Sequence, residues 1–303
     1  MEKTLTIQIG SQQYNSKYKL NQKLNIAISS YRSAPFGGGQ GIFVYELSKA
    51  LKSLGHNVDI ISGPPYPNLE PEINLIRSPG LNLFSTFVFK ERVAIFLNKK
   101  YKSMDDWYEF FSALFGGFPE IKTFGNRLSY LLQNSSYDIL IDNQSLSFGL
   151  LKVQNRIPVI EIVHHPITKD YKYDIKFSKG IVQKISKWRW FSFLKMQKKV
   201  APFMKTISTP SINSKNDIVK DFNVSKKKIM VIPNGIDHIN FSPKKHINRN
   251  PEQLITTASA DVPLKGLDFT LKAIHSIKKD FPKIRLVIIG APRPGGHTER
   301  LIQ

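Results

Sequence analysis

The sequence predicts an α/β fold in which parallel strands alternate with helices, and three stretches carry that expectation. Residues 24–61 read as strand, glycine loop, helix and strand; residues 137–232 continue the alternation; residues 254–289 open another strand–helix–strand unit after a polar, basic run. Two domains are expected.

Residues 1–23 form an N-terminal extension, polar and without the apolar core of a secretion signal. Apolar residues 24–28 follow as a buried strand. Gly37, Gly38, Gly39 and Gly41 then allow a sharp turn and the close approach of a ligand. Phe43, Leu47, Ala50, Leu51 and Leu54 recur at helical spacing, Gly55 occupies the left-handed capping position, and residues 57–61 resume as strand. A helix that starts on glycine offers unpaired amides and a positive dipole end, which suit a phosphate or a polar sugar group. The dinucleotide pattern is not met: counted from Gly37, Ile42 fills the third glycine slot, and Asp59 lies inside its strand. By themselves the glycines fit a tight turn equally well.

The five prolines of residues 64–79 make a surface loop, with an extended piece near residues 73–76. Residues 85–118 interleave rings such as Phe89, Trp107, Phe111 and Phe115 with Lys90, Arg92, Lys99 and Lys102, as one or two amphipathic helices would. Most of these rings are expected in the core, the competing reading being a lipid interface. Phe124, Leu128, Leu131 and Leu132 mark a helix, residues 137–142 a strand, residues 145–151 a small helix, and residues 159–163 a strand ending in His164-His165-Pro166. Ligands of parallel sheets bind at the carboxyl ends of strands, where both Gly37–Gly41 and His164 fall. Residues 180–205 are the most basic stretch, either a peripheral membrane contact or a helix packing its rings on the sheet. Two further strands, 206–209 and 228–232, flank a helix at 213–222. Asn234 and Gly235 belong to a turn cluster.

The first domain is thus expected to span 24–240, a linker 241–250, and a second, partial domain 251–303. In the last, a strand (254–258), a helix with Leu267, Leu271, Ile274 and Ile277 inward, and a strand (284–289) are too few to bury a core, so that domain looks cut short.

The 303 residues hold 41% hydrophobic and 22% charged residues, an ordinary globular balance. Cysteine is absent, which removes disulfides, thiolate metal sites and a cysteine nucleophile and fits a reducing, cytoplasmic setting. With 44 Lys and Arg against 23 Asp and Glu, the net charge of +21 favours polyanions: nucleic acid, an anionic membrane or phosphorylated substrates. No nucleic-acid motif accompanies it, so a nucleic-acid partner is disfavoured.

GGGQGIFVYELSKALKSLGHNVDIISG, IPVIEIVHH, VIPNGIDHINFSP, ASADVPLKGLDFTLKAI and RLVIIG, in this order, resemble the GT-B glycosyltransferases of family 4, a retaining, nucleotide-sugar-dependent group. The resemblance implies two Rossmann-like domains with a nucleotide-sugar donor between them and a glycolipid or glycan acceptor held mainly by the first. No cofactor or metal is implied, the nucleotide sugar being a substrate. Gly38, Gly39 and Gly41 match the loop near the donor phosphate and sugar, and His164 the histidine that contacts the sugar. His165, Asn234 and Gly235 are secondary candidates. Lys265 matches the lysine on the donor pyrophosphate, where a cation offsets the charge of the leaving group. Two departures stand out: Ser259 replaces an arginine, which a serine cannot imitate as a bidentate partner, and the sequence stops before the family's paired glutamates. The expected activity is transfer of a sugar to a lipid-linked or polysaccharide acceptor, at the cytoplasmic face of the membrane. The alternative is a non-catalytic nucleotide- or sugar-binding module, or one subunit of a split enzyme.

Overall fold

The computed structural model describes residues 5–9, 12–16, 22–35, 38–86, 88–178, 180–243, 248–257, 266–290 and 299. The chain divides into two compact units, Met1–Asn234 and Gly235–Gln303.

The first unit is built on seven strands: β3 (Asn25–Ser30), β4 (Asn57–Ser62), β5 (Asn74–Arg77), β6 (Ile139–Asn143), β7 (Val159–Ile162), β8 (Thr206–Thr209) and β9 (Ile229–Val231). Their order is β5-β4-β3-β6-β7-β8-β9, with every pairing parallel. From β3 the chain runs outward through β4 and β5, then returns to the other side of β3 with β6. Sheets wound this way leave a crevice at the carboxyl ends of the two strands where the direction reverses, here β3 and β6. A central parallel strand is covered on both faces and reads as a continuous apolar run, and Ile26 to Ser30 are all buried.

Alternation along the strands assigns the two faces. Ile26, Ile28, Ile60 and Ile141 pack with Val44 of α1 (Gly39–Ser53). Ala27, Ile61 and Leu140 face a larger core containing Phe124, Leu128 and Leu150. That core is roofed by α2 (Phe89–Asn98), α3 (Met104–Leu114), α4 (Glu120–Leu131) and α5 (Phe148–Val153), and later by α6 (Thr168–Lys176), α7 (Ile181–Trp190), α8 (Phe193–Val200) and α9 (Ile212–Phe222). Gly55 carries φ +93° directly after α1, and its amide donates to Lys52 O at 2.9 Å, as a glycine cap requires. Between α4 and α5 the backbones come unusually close: a Cβ on Gly149 would lie 1.9 Å from Gly125 O.

Three expectations need correction. Residues 5–16, read as plain extension, hold an antiparallel pair, β1 (Leu5–Ile9) and β2 (Gln12–Ser16), in register from Leu5↔Ser16 to Ile9↔Gln12. Helix α6 was not foreseen: Tyr171, Tyr173 and Ile175 are the only apolar or aromatic side chains in TKDYKYDIK, and only Thr168 is buried. The rings of residues 85–118 are largely not core: Phe96, Phe110 and Phe118 are buried, whereas Phe89, Tyr101, Trp107, Tyr108, Phe111 and Phe115 are exposed.

In the second unit β10 (Gln253–Thr257) and β11 (Arg285–Ile289) pair in parallel around α10 (Leu267–Ile277). Leu267, Leu271 and Ile274 are half-buried and Ile277 is exposed, so no described residue of this unit is fully buried.

Candidate active site

The crevice between β3 and β6 collects most of the first unit's candidates. Helix α1 starts at Gly39 with Gly38 as N-cap; no side chain caps it and its first turn has no acidic residue. Its opening amides therefore keep their polarity for an outside group. Gly38 has φ +142°, a conformation L side chains avoid, and both Gly38 and Gly39 are exposed with nothing within 4 Å of a would-be Cβ. Gly41 differs: it is buried, and its Cβ would sit 2.2 Å from Ala34 O and 2.7 Å from Ser33 O. Gly41 seats the helix against residues 33–34, while Gly38 and Gly39 hold the approach open.

His164 follows β7 and lies beside this helix start, its ring 4.6 Å from that of Phe43 on α1 in an edge-on contact. Its Nε2 is 2.9 Å from Asn143 Oδ1, and Asn143 Nδ2 donates to Ser30 Oγ at 3.3 Å. Ser30, Asn143 and His164 thus form a row across the ends of β3, β6 and β7. Because the Asn143 amide points its nitrogen at Ser30, its oxygen must accept from His164, which places the imidazole proton on Nε2 and leaves Nδ1 as an acceptor. Burial, assisted by the neighbouring His165, lowers the imidazole pKa to about 4, so the ring is neutral at physiological pH.

The His164 backbone is clamped on both sides. Its N–H donates to Gln144 Oε1 at 3.2 Å, Gln144 Nε2 donates to His165 O at 3.2 Å, and Ser214 Oγ donates to His164 O at 3.0 Å. Gln144 itself has φ +63°, a conformation that costs a non-glycine residue on the order of 1 kcal/mol. His165 is largely exposed, with Nε2 3.6 Å from Asp170 Oδ2, and stands outside the row. Arg32, just beyond β3, is engaged with Glu120 at 3.0 Å; burial pushes the Glu120 carboxyl up to about 7 against the pull of Arg32. Asn234 and Gly235 are exposed at the division between the units. Gly37, Ser259 and Lys265 lie outside the described residues.

On the opposite face of the same strand ends lies a second polar row. Ser29 Oγ donates to Asp142 Oδ1 at 2.5 Å, and Asp142 is in register with Glu161, both fully buried. The two carboxyls face each other, and a hydrogen bond between them exists only when one is protonated. Burial raises both pKa values, that of Glu161 far, with the Asp142 charge adding to it. A folded-state pKa above the unfolded value adds stability that is complete below the usual Glu value and is lost as pH rises through the raised one. Urea unfolding is accordingly expected to show Glu161→Gln flattening the loss of stability between pH 5 and 8.5. An identical slope in the variant and the parent would defeat this account of the pair.

The sequence put the glycines and His164 at strand ends, where the structure has them, and did not single out their neighbours Asn143, Gln144, Ser30 and Phe43 or the buried acids. A usable signal existed in the strand ends: an apolar run closing on Asp142-Asn143-Gln144, and a lone Glu161 inside IPVIEIVHH.

The sequence profile described as Glycosyltransferase Family 4 matches residues 37–239. The MMP alpha-(1->4)-mannosyltransferase of Mycolicibacterium hassiacum is 36% identical over 283 residues, covering 92% of this chain and 67% of that protein. Among solved structures, Anabaena HepE in complex with UDP and glucose aligns at TM-score 0.55 and 12% identity, covering 92% of this chain and 64% of that one. The catalytic domain of starch synthase IV from Arabidopsis thaliana, bound to ADP and acarbose, aligns at TM-score 0.54 and 14% identity over 93% and 71%. At such identities the structures establish the fold, while the chain spans about two thirds of the length of these relatives. With the profile covering residues 37–239 and a relative matching along 92% of this chain, the chain belongs to glycosyltransferase family 4, with the GT-B class of fold.

Proposed function

We propose that the protein transfers a glycosyl residue from a nucleotide sugar to a glycan or lipid-linked acceptor, with retention of configuration. The observation that carries this reading is the uncapped, glycine-opened start of α1 set beside a neutral, clamped His164 at the sheet's reversal point. The helix start suits a phosphate or a sugar hydroxyl, and the imidazole, kept uncharged, suits a hydroxyl of the transferred sugar. The relative's activity makes a mannosyl donor the first to try. The acceptor oxygen bonds to the anomeric carbon on the face from which the nucleoside diphosphate leaves, and the acceptor proton passes to the departing phosphate oxygen, so no protein base is required. Lys265 keeps its proposed role as the cation on the diphosphate. The absence of cysteine fits a reducing compartment, and we place the reaction at the cytoplasmic face of the membrane.

The test is incubation of the protein with GDP- and UDP-sugars, with and without candidate acceptors, followed by release of nucleoside diphosphate and product analysis. Transfer with the anomeric configuration kept supports the proposal; binding of nucleoside diphosphate without turnover with any acceptor favours a non-catalytic module or a split enzyme. Gly39→Ala gives a sharper check. Its methyl enters open space in the protein but occupies the donor's approach. The melting temperature is expected to stay within about 4 °C, since a Gly to Ala change at a compatible helical position is worth about 0.4–1 kcal/mol. The donor KM is expected to rise on the order of tenfold, the equivalent of about 1.4 kcal/mol. An unchanged KM would move the donor away from this helix.

A further inference from the structure

The exposed rings of the first unit are arranged rather than scattered. On α3 and its C-cap, Trp107, Phe111 and Phe115 recur at every fourth position, each 42% exposed or more, and Trp107 stacks on Phe111 at 5.7 Å. Helix α7 has no buried residue, and Ile181, Val182, Ile185 and Trp188 all face solvent. The expectation that this helix lays its rings on the core therefore holds only at its last residue, Trp190, and just beyond it, at Phe191. The two helices meet where Arg189 Nη1 donates to Phe115 O at 3.2 Å. One residue on, Trp190 turns inward onto Phe84 and Phe118, at 5.1 Å from each, so the patch is fixed to the core.

Its charge has one sign along α7. No Asp or Glu occurs from Gly180 to Lys205, and Lys184, Arg189 and Lys195 lie among the rings, with Lys195 4.7 Å from the Trp188 ring. A protein that keeps such a face in water alone pays for it in solubility. A layered partner removes the conflict: aromatic and aliphatic side chains enter the headgroup boundary while lysine and arginine remain at the phosphates. Nucleic acid would satisfy the cations but offers nothing to Ile181, Val182 and Ile185.

We propose that the α3–α7 face of the first unit docks on an anionic lipid surface. Among the described residues no helix is long and apolar enough to cross a membrane, so the contact is interfacial. The face is coupled to the candidate site: Phe118 makes an edge contact with Tyr31, at 6.1 Å, and Tyr31 directly follows β3. Docking there keeps the reversal-point crevice near the bilayer, which deepens the lipid-linked acceptor reading and rests on it for its purpose, though not for the binding itself.

The full chain is tested by co-sedimentation with vesicles of phosphatidylglycerol and phosphatidylcholine against phosphatidylcholine alone, at low and high salt. Binding is expected to be at least about tenfold stronger to the anionic vesicles and to weaken with salt. Ile181→Ser with Val182→Ser, at positions that bury nothing, is expected to keep the fold by circular dichroism and to lose about tenfold in binding. Lys184→Glu with Lys195→Glu is expected to lose about fivefold or more for each residue. No preference for anionic vesicles, variants that bind like the parent, or a dimer in solution that the serine variants dissolve would each overturn the proposal. Vesicle binding is read without donor sugar, so its failure leaves sugar transfer standing, and failed transfer by a vesicle-binding protein does the reverse.

Discussion

His164→Ala is expected to lower kcat/KM for sugar transfer by about 10²–10³, the usual cost of removing one positioned polar group from a reaction centre. The loss should not come from unfolding. His164 is half-buried, and its side chain gives up one hydrogen bond, to Asn143, and one ring contact, to Phe43. That is worth about 1 kcal/mol. The backbone clamp through Gln144 and Ser214 survives the substitution. The same geometry fixes a pH signature. With its pKa lowered to about 4 by burial and by His165, the ring gains no proton between pH 5.5 and 8, and the parent's rate should show no His164 titration there. Asn143→Asp places a carboxylate where the amide oxygen now lies 2.9 Å from Nε2, raising the imidazole pKa and creating a pH-dependent rate. Full activity in His164→Ala, or an Asn143→Asp profile superimposable on the parent's, would remove His164 from the chemistry.

Gly149→Ala is expected to destabilise the first unit by about 3 kcal/mol or more, the upper range for overpacking a core. The new Cβ would stand 1.9 Å from Gly125 O, 2.4 Å from Gly125 C and 3.0 Å from Gly125 Cα. All three are backbone atoms, so no side chain can swing aside. Helices α4 and α5 must separate, loosening Phe124, Leu128 and Leu150 in the core between them and the sheet. For a unit of this size the melting temperature should fall by roughly 6–12 °C. Activity should fall with it, because α5 begins directly after the short loop that carries Gln144 and follows Asn143 at the end of β6. A Gly149→Ala protein that melts with the parent would mean that the two helices do not approach this closely.

What the sequence disclosed follows from how far apart the interacting residues lie. The unit from β3 to β4 was legible because its signals are local: an apolar run, glycines, helical spacing and a glycine cap. The strand before His164 was legible for the same reason. The pairing of His164 with Asn143 spans 21 residues and that of Asn143 with Ser30 spans 113, distances at which no periodicity speaks. Sheet order alone brings them together. The β1–β2 pair was passed over because its polar content outweighed the alternation of Leu5, Ile7 and Ile9. The rings of α3 were misassigned because amphipathic spacing shows that a helix has two faces without showing that both carry aromatics. Lys265 and Ser259 remain arguments from sequence, outside the described residues.

The strand order has one more consequence. The outermost members of the seven-stranded sheet are its shortest or nearly so, β5 with 4 residues and β9 with 3, and β9 is preceded by Lys226, Lys227 and Lys228. Short margins give an incoming chain little ladder to extend, and at β9 the three lysines add a repulsive charge to overcome. Growth of this seven-stranded sheet from one molecule into the next is blunted at both borders, which leaves the two-stranded pairs β1–β2 and β10–β11 as the places, among the described residues, where a backbone edge stays open.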